Sequence, residues 1–233
     1  MATEDVVAAD FAPVAALLAD RARAAMVTAL LDGRPLAAGE LARGAGVGPS
    51  TASSHLARLL DGGLVTVISQ GRHRYYALRD AEVAQLVETP ARMSPPVRVR
   101  SLRQSHEARR LHRARTCYDH LAGQAGVALF AALLDGGLLE PDTDGYTATR
   151  KGEERLDALG LDVEAVRRSR RRFAWRCLDW TERRPHLNGA LAAALTERMI
   201  DLGWFERGAA PRALAVTDAG LTGLADSFGC VLP

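Results

Sequence analysis

The sequence predicts an α+β protein that is mainly helical with small β-hairpins, and three observations lead to this class. Apolar residues recur at helical spacing in several segments, such as 11–18 and 26–31. Short runs rich in β-branched residues, such as 64–68, follow glycines and suit the strands of a hairpin. The order of helix, glycine and apolar strand then returns twice further along the chain. With 233 residues, 48% of them hydrophobic, the chain is long enough for two small domains with buried cores.

Two helices joined by a tight turn are predicted in the first part of the chain. Residues 36–42 are predicted as a short helix. A glycine-rich turn then leads into a longer helix that begins at Pro49 or Ser50, because proline is favoured in the first helical turn. That helix is predicted to end at the Asp-Gly-Gly run, 61–63, since glycine suits a helix C-terminus.

A β-hairpin is predicted after this helix. Residues 64–68 and 73–78 have the composition of strands, and 69–72 is predicted as the turn between them. Asp80 is placed to cap a further helix, because an aspartate side chain accepts hydrogen bonds from the first backbone N–H groups of a helix. The order of helix, turn, helix and hairpin is that of a winged helix-turn-helix domain.

The longer helix carries small hydroxyl side chains on the face opposite its leucines. Leu56, Leu59 and Leu60 are predicted to face the core. Small polar side chains on the other face fit a DNA major groove and reach base edges or phosphates. Arginines of the helix and the hairpin are placed to meet backbone phosphates. The candidate DNA-binding residues are Ser50, Thr51, Ser53, Ser54, His55, Arg58, Arg72, His73 and Arg74.

This segment resembles the ArsR/SmtB family of bacterial winged-helix regulators. The resemblance rests on Glu40-Leu41-Ala42, on the run 50–65 with Ser54-His55-Leu56, and on Gly-Arg-His-Arg-Tyr-Tyr at 71–76. It implies a homodimeric DNA-binding transcriptional regulator, usually a repressor that an effector releases from DNA. The cysteines and histidines that hold inducer metals in this family are missing from the helix before the turn and from the helix after the wing. Neither metal site of the family is therefore carried over, and no metal is predicted there.

A linker and an arginine-rich arm are predicted next. Consecutive prolines within 89–96 mark the linker, since they are incompatible with a helix interior. Residues 91–125 hold 8 Arg and 2 acidic residues, and a long helix is predicted from about 97 to 121, either exposed or packed on a partner chain. The predicted organisation is a winged helix at 1–90, the linker and arm at 91–125, and an effector or dimerisation domain at 126–233.

The C-terminal domain is predicted to repeat the pattern of the first. Residues 55–65, 129–139 and 195–205 each have the pattern of a helix, a glycine stop and an apolar strand. A second strand and a further helix follow, with Thr149 and Thr217 as predicted N-caps. The sequence thus predicts a helical, winged-helix-like domain, built either as one degenerate domain or as two half-units packed together.

Two thiols of the C-terminal half lie near imidazoles. Cys117 precedes His120 by three residues, which predicts one shared helix face, and Cys177 precedes His186. If the two segments pack together, these four side chains form a metal-, metalloid- or redox-sensing cluster. In the alternative interpretation the cysteines are buried as small apolar side chains and the histidines are solvated, since no Cys-x-x-Cys spacing favours the sensor.

Aromatic side chains and arginines form a second candidate effector site. Clustered aromatics often line an apolar pocket, where an arginine captures an anion. Packing in the core is the competing interpretation. The candidate effector residues are Cys117, His120, Trp175, Cys177, Trp180, Arg184 and His186.

Other classes of protein find little support in the sequence. No glycine-rich fingerprint follows a strand and no hydrolase motif occurs, so neither an enzyme nor a cofactor is expected. No apolar run is long enough for a bilayer and the three cysteines are scattered, which predicts a cytoplasmic protein without membrane contact. The expected partners are double-stranded DNA, a second copy of the chain, and a small-molecule or metalloid effector. The alternatives are a small-molecule enzyme that uses the winged helix only for dimerisation, a thiol- or metal-sensing regulator that uses Cys117 and Cys177, and an interaction protein that does not bind DNA.

Overall fold

Two units make up the chain, Met1–Ala91 and Arg92–Pro233. The structure is a computed structural model that describes residues 10–71, 73–94, 102–208 and 211–233. Each unit buries its own set of apolar side chains. Within the described ranges, no helix combines the length and the apolar composition needed to cross a membrane.

The N-terminal unit packs three helices against one another and adds a small sheet. In chain order its elements are α1 (Ala12–Leu18), α2 (Arg21–Leu30), β1 (Leu36–Ala37), α3 (Ala38–Ala45), α4 (Pro49–Asp61), β2 (Val65–Gln70), β3 (His73–Leu78) and α5 (Ala81–Met93). α2, α3 and α4 contact one another, and Met26, Leu41 and Leu56 are at most 1% exposed. The strands form an antiparallel sheet in the order β1, β3, β2. The predicted order of helix, turn, helix and hairpin is confirmed.

The ends of α4 and the start of α5 also agree with the predictions. α4 begins at Pro49, and Gly63 after its C-terminus has a φ of +68°. This left-handed conformation costs glycine little, since it has no Cβ. Asp80 Oδ1 accepts a hydrogen bond from the N–H of Val83 at 2.9 Å, which caps α5.

The start of α3 differs from the predicted helix over 36–42. Leu36 and Ala37 form β1 because they pair with β3, and α3 begins only at Ala38. The Glu40 carboxylate accepts the N–H of Ala37 at 2.9 Å, which satisfies one donor at the helix start. A partner strand about forty residues away decided this boundary, and local spacing does not reveal such a partner.

The predicted linker begins too early in the chain. α5 continues through Pro90 to Met93, although a proline removes one hydrogen bond of a helix. The hydroxyl of Thr89 donates to Gln85 O at 2.8 Å within the same helix. The next two prolines, at 95 and 96, lie outside the described residues.

After one helix, the C-terminal unit contains the same order of elements twice. Its elements are α6 (Leu102–Arg113), β4 (Arg115–Cys117), β5 (His120–Ala122), α7 (Gly123–Asp135), β6 (Leu139–Asp142), β7 (Gly145–Ala148), α8 (Arg150–Ala158), α9 (Val163–Arg167), β8 (Trp175–Leu178), β9 (Pro185–Asn188), α10 (Ala190–Asp201), β10 (Phe205–Arg207), β11 (Leu214–Val216) and α11 (Asp218–Phe228). Hairpin, helix, hairpin and helix run from β4 to α8 and again from β8 to α11. α7 contacts β9 and α10 contacts β5, so the halves pack reciprocally. Of the two arrangements left open by the sequence, two packed half-units is the one found.

The two half-units share their local hydrogen bonding. Thr149 Oγ1 accepts the N–H of Gly152 at 3.0 Å, and Thr217 Oγ1 accepts the N–H of Gly220 at 2.9 Å. Both predicted N-caps are confirmed. A Cβ at Gly152 would lie 2.0 Å from a backbone oxygen just before the hairpin, and one at Gly220 would lie 2.1 Å from the equivalent oxygen. Only glycine therefore fits where each helix passes the start of its hairpin.

The arginine-rich segment is not the single helix predicted from about 97 to 121. Residues 97–101 lie outside the part of the chain that the structure describes, and α6 ends at Arg113. β4 and β5 follow, joined by a two-residue turn in which Tyr118 has a φ of +61°. α6 contacts α7 and β4, so it belongs to the C-terminal unit. Cys117 and His120 therefore face each other across a hairpin and do not share a helix face.

Candidate nucleic-acid interface

α4 is held by one face and exposes the other. Ala52, Leu56 and Leu59 are at most 1% exposed, and the helix contacts α2, α3 and β2. Leu60, which was predicted to face the core, is only half-buried. The opposite face is exposed as its spacing predicts, and its candidate residues are Ser50, Thr51, Ser53, Ser54 and Arg58.

His55, which was predicted to contact DNA, is half-buried and does not lie on this exposed face. Its side chain is 15% exposed, and its Nδ1 lies 3.8 Å from Asp20 Oδ1 and 3.5 Å from Arg23 Nη1. His55 follows Ala52 by three residues and precedes Leu59 by four, so it projects from the side of α4 that packs on the body of the unit. We assign His55 to the packing of α4 against α2.

The β2–β3 hairpin carries the remaining candidates. Gly71 lies in its turn with a φ of +58°, and His73 and Arg74 are exposed. Arg72 lies outside the described residues. The Arg74 guanidinium lies 5.7 Å from the ring centroid of Tyr76, a cation–π contact that keeps this charge close to the hairpin.

A second candidate site lies in the C-terminal unit, where two hairpins meet. Cys117 and His120 are cross-strand partners in β4 and β5, and Cys177 and His186 are partners in β8 and β9. All four side chains are buried, and one ligand-type atom from each lies within 4.8 Å of the others. The two Nε2 atoms are 3.2 Å apart, and the imidazole rings stack with centroids 5.1 Å apart. The structure thus brings together four of the seven predicted effector residues.

Each histidine of this cluster has a carboxylate beside its other ring nitrogen. His120 Nδ1 lies 3.4 Å from Asp119 Oδ1, and His186 Nδ1 lies 3.5 Å from Asp179 Oδ2. Burial lowers the pKa of His120, but the neighbouring Cys117 and Asp119 outweigh that effect and raise it to about 9. The surroundings of His120 therefore favour its positively charged form.

Asp179 is the centre of a buried network beside the cluster. Arg115 and Asp179 are at most 1% exposed and form an ion pair at 2.8 Å. Asp179 also accepts the N–H of Gly123 at 2.8 Å and the N–H of Thr181 at 2.9 Å. Burial raises the pKa of Asp179, but Arg115 and these hydrogen bonds hold it well below its usual range. The Arg115 guanidinium also lies 4.8 Å from the Trp180 ring centroid.

Three residues of these networks were not among the predicted site residues. For Asp119 and Asp179 a signal exists, because Cys-x-Asp occurs at both 117–119 and 177–179. Arg115 carries no such signal, since nothing in a run of arginines distinguishes one that is buried and paired with Asp179 from its exposed neighbours.

The other three predicted effector residues lie outside the cluster, and two of them, Trp180 and Arg184, contact the Asp179 network. The Trp175 ring lies 5.1 Å below the Arg172 guanidinium, and Trp180 is 39% exposed. Arg184 is exposed, and its carbonyl accepts the N–H of Asp179 at 2.9 Å. Trp204 belongs to the apolar core, as the packing interpretation predicts.

The element order and the exposed face of α4 define the N-terminal unit as a winged helix-turn-helix DNA-binding domain. Residues 18–68 match a family model described as "Helix-turn-helix domain". Over 211 residues the chain is 42% identical to "Uncharacterized HTH-type transcriptional regulator YdfF" from Bacillus subtilis (strain 168), which covers 91% of this chain and 93% of that protein. The chain belongs to the HTH-type transcriptional regulators. Its class is therefore a transcriptional regulator rather than an enzyme.

Several solved structures are similar to a third or more of the chain. HlyU from Vibrio cholerae N16961 is 29% identical, covering 35% of this chain and 88% of that chain, with a TM-score of 0.33. The homodimeric winged helix-turn-helix domain Mb0332 from Mycobacterium bovis is 27% identical, covering 39% and 85%, with a TM-score of 0.33. The transcriptional repressor BigR from Xylella fastidiosa is 27% identical, covering 37% and 87%, with a TM-score of 0.34.

Proposed function

We propose that the chain is a homodimeric repressor that binds a pseudo-palindromic operator through α4 and the β2–β3 hairpin, while the C-terminal unit responds to an effector. The observation that carries this proposal is the division of α4 into a buried apolar face and an exposed face of small hydroxyl side chains. Such a helix enters a major groove about 12 Å wide without a bulky side chain in the way. Repression is proposed from the resemblance to ArsR/SmtB regulators.

The proposed DNA contacts divide by chemistry. Hydroxyl groups donate and accept hydrogen bonds, so those of α4 are proposed to read base edges. Guanidinium and imidazole groups at the flanks are proposed to bind phosphates, which position the domain without reading sequence. The base-reading set is Ser50, Thr51, Ser53 and Ser54, and the phosphate-binding set is Arg58, Arg72, His73 and Arg74.

A pseudo-palindromic operator has two half-sites, so its symmetry calls for a second copy of the chain. Two recognition helices must lie about 34 Å apart to enter successive major grooves on one side of the duplex. The N-terminal unit exposes Phe11 and Leu86, which are 78% and 38% exposed, and we propose that a second copy covers them. The arginine-rich α6 is proposed to support the same dimer.

A gel-shift assay with the DNA upstream of the protein's own gene tests operator binding. We expect binding to this DNA that is about a thousandfold tighter than to scrambled DNA of equal length. Inserting about five base pairs between the half-sites turns one half-site to the opposite side of the duplex and should abolish that preference. Equal binding to native and scrambled DNA would contradict the proposal.

Removing Arg72 or Arg74 of the β2–β3 hairpin is expected to weaken binding to every DNA sequence. Each of Arg72→Ala and Arg74→Ala deletes one phosphate contact, so the slope of log affinity against log salt should fall in magnitude by about 1. Fluorescence anisotropy at several salt concentrations measures this slope. Arg155→Ala, an exposed arginine of α8, is the control and should leave affinity and slope unchanged. Unaltered salt slopes in both Arg72→Ala and Arg74→Ala would show that the β2–β3 hairpin does not bind DNA phosphates.

Changes on the exposed face of α4 are expected to alter sequence preference instead. Ser53→Ala and Ser54→Ala each remove a hydroxyl proposed to read a base edge, which is worth about 1–3 kcal/mol of discrimination. Sequencing the DNA that each variant selects from a random library measures preference, and salt slopes should stay as in the wild type. Ser169→Ala, at an exposed position of the C-terminal unit, is the control. Identical selected sequences for all four proteins would count against base reading by these serines.

The effector response is proposed for the C-terminal unit through Cys117, His120, Trp175, Cys177, Trp180, Arg184 and His186. Four of them form a buried polar cluster, which is the kind of group that holds a ligand. By linkage, an effector that lowers DNA affinity must itself bind less tightly to the DNA complex by the same factor. Titrating an effector with and without operator DNA therefore tests the coupling directly.

A further inference from the structure

We infer that Cys117, His120, Cys177 and His186 bind one zinc ion in the C-terminal unit. One ligand-type atom from each residue lies within 4.8 Å of the others. The Nε2 atoms of the two histidines are 3.2 Å apart. In a tetrahedral site with Zn–N bonds of about 2.0–2.1 Å, two nitrogen ligands are about 3.3 Å apart. The imidazoles therefore already stand at the separation that such an ion requires.

The four ligands come from two hairpins that are distant in the sequence. Each hairpin contributes one cysteine and one histidine, as cross-strand partners. β5 and β9 contact each other, which brings the two pairs together at the junction of the half-units. An ion at this point would tie one half-unit to the other.

The donor set matches zinc in charge and in chemical type. Two thiolates and two neutral imidazoles carry a total charge of −2, which a divalent cation neutralises. Thiolate and imidazole ligands select zinc over magnesium or calcium, which prefer oxygen ligands. Because four protein ligands complete a tetrahedron and all four side chains are buried, no position is left for a substrate. The site is accordingly one that stabilises or senses, and not a catalytic one.

A carboxylate lies beside each of the two histidines. Asp119 and Asp179 lie beside the Nδ1 atoms of His120 and His186, at 3.4 and 3.5 Å. A carboxylate at this position favours a proton on Nδ1 and leaves the Nε2 lone pair directed at the metal. Both carboxylates are themselves held, Asp119 by Arg171 and Asp179 by Arg115. Asp119 is therefore a positioning residue, whereas Asp179 lies beside His186 Nδ1 without a hydrogen bond to it.

Packing of apolar side chains does not account for the same arrangement. Two buried imidazoles whose Nε2 atoms face each other leave room for only one proton between them. His186 Nδ1 is buried and makes no hydrogen bond within the described structure. Cys230 is the contrasting case, since it lies in the main apolar core and burial raises the pKa of its thiol to about 11. Cys230 is thus a buried thiol of the apolar core, whereas Cys117 and Cys177 lie beside imidazoles.

Metal binding is tested with the full-length chain, without a histidine tag, after a chelator has removed metals under reducing conditions. Addition of Co²⁺ should give the visible absorption of a tetrahedral complex and a thiolate-to-cobalt charge-transfer band, which both saturate at one ion per chain. Zn²⁺ should displace the cobalt, because it binds such sites more tightly than Co²⁺. Zn²⁺ should also raise the unfolding temperature of the protein. These measurements do not depend on DNA binding, so they stand even if the proposed operator function fails.

Single substitutions test which side chains bind the metal ion. Cys117→Ser and Cys177→Ser are each expected to lower Co²⁺ affinity at least about 100-fold and to remove the charge-transfer contribution of one thiolate. Asp119→Asn should weaken binding by about 10- to 100-fold with the spectrum kept, as expected for a group that orients a ligand. Cys230→Ser is the matched control, because it removes a buried thiol from the same unit and should leave affinity and spectrum unchanged.

Three results would overturn the inference. The first is a folded wild-type protein that binds no Co²⁺ or gives only the weak spectrum of an octahedral complex. The second is Co²⁺ binding that survives in Cys117→Ser and Cys177→Ser with unchanged spectrum. The third is a disulfide between Cys117 and Cys177 that mass spectrometry still detects after the protein has been treated with a reductant and a chelator. The first and third results need only the wild-type chain. The inference can therefore be tested even if a variant fails to fold.

Discussion

Replacement of Asp179 by alanine is expected to lower the free energy of unfolding of the C-terminal unit by about 3–5 kcal/mol. The substitution leaves the Arg115 guanidinium buried without its carboxylate partner, since both residues are at most 1% exposed. It also removes the acceptor for the backbone N–H groups of Gly123 and Thr181. A buried charge without its partner and two N–H donors without an acceptor, one buried and one part-buried, cost far more than losing an ion pair at the surface.

Denaturant unfolding followed by tryptophan fluorescence measures this loss. Trp175, Trp180 and Trp204 are the three tryptophans of the chain, and all lie in the C-terminal unit. Asp226→Ala, an exposed aspartate of α11, is the control and should change stability by no more than about 0.5 kcal/mol. A loss below about 1 kcal/mol for Asp179→Ala would mean that solvent reaches Arg115 and that the network is not buried in solution.

A double variant separates the two causes of the stability loss, which are the unpaired Arg115 and the missing hydrogen-bond acceptor. Arg115→Met combined with Asp179→Leu leaves no buried charge, so part of the stability should return. Recovery should stay incomplete, because the N–H groups of Gly123 and Thr181 still lack their acceptor. A double variant as unstable as Asp179→Ala would show that the lost acceptor, and not the stranded arginine, sets the cost.

Leu56→Ala is expected to destabilise the N-terminal unit by about 2–5 kcal/mol, the range for a fully buried leucine. Leu56 is 0% exposed and lies on the face of α4 that packs on the unit. The substitution leaves a cavity beneath the helix while every exposed side chain of α4 stays the same. Operator affinity should therefore fall together with stability, without a change in which sequences are preferred.

Hydrogen exchange at the amides of α4 measures this effect, and protection should fall by about 30-fold or more. Leu221→Ala makes the same chemical change at a position of α11 that is 39% exposed, and should leave the protection of α4 unchanged. If protection in α4 were equal in Leu56→Ala and the wild type, the helix would not depend on this packing, and the structural basis of the exposed face would need revision.

Elements set by neighbouring residues were predictable from the sequence. The start of α4 at Pro49, its end at the glycines and the caps at Asp80, Thr149 and Thr217 all depend on hydrogen bonds or backbone angles within a few residues. Alternating and helical spacing likewise separated the buried from the exposed face of α4, because a regular helix returns to the same face every three to four residues.

Elements whose position depends on residues far away in the chain were not predictable from the sequence. The short β1 exists because Leu36 and Ala37 pair with β3, and the hairpin at 115–122 interrupts what composition alone suggested was a long helix. His55 belongs to the run of polar residues in α4, yet Asp20 and Arg23 of another segment place it against α2. Spacing within one helix defines faces, but only the neighbouring helix decides where a face ends.

The sequence by itself determined the winged helix-turn-helix, the repeated order of helix and hairpin in the C-terminal unit, and the residue types available for DNA contact. The tertiary structure alone decided that Cys117, His120, Cys177 and His186 come together, since the two histidines are 66 positions apart in the chain. The physical reason is that hydrogen-bonding pattern and apolar spacing are local properties, whereas a cluster drawn from two hairpins depends on how two half-units bury their surfaces against each other.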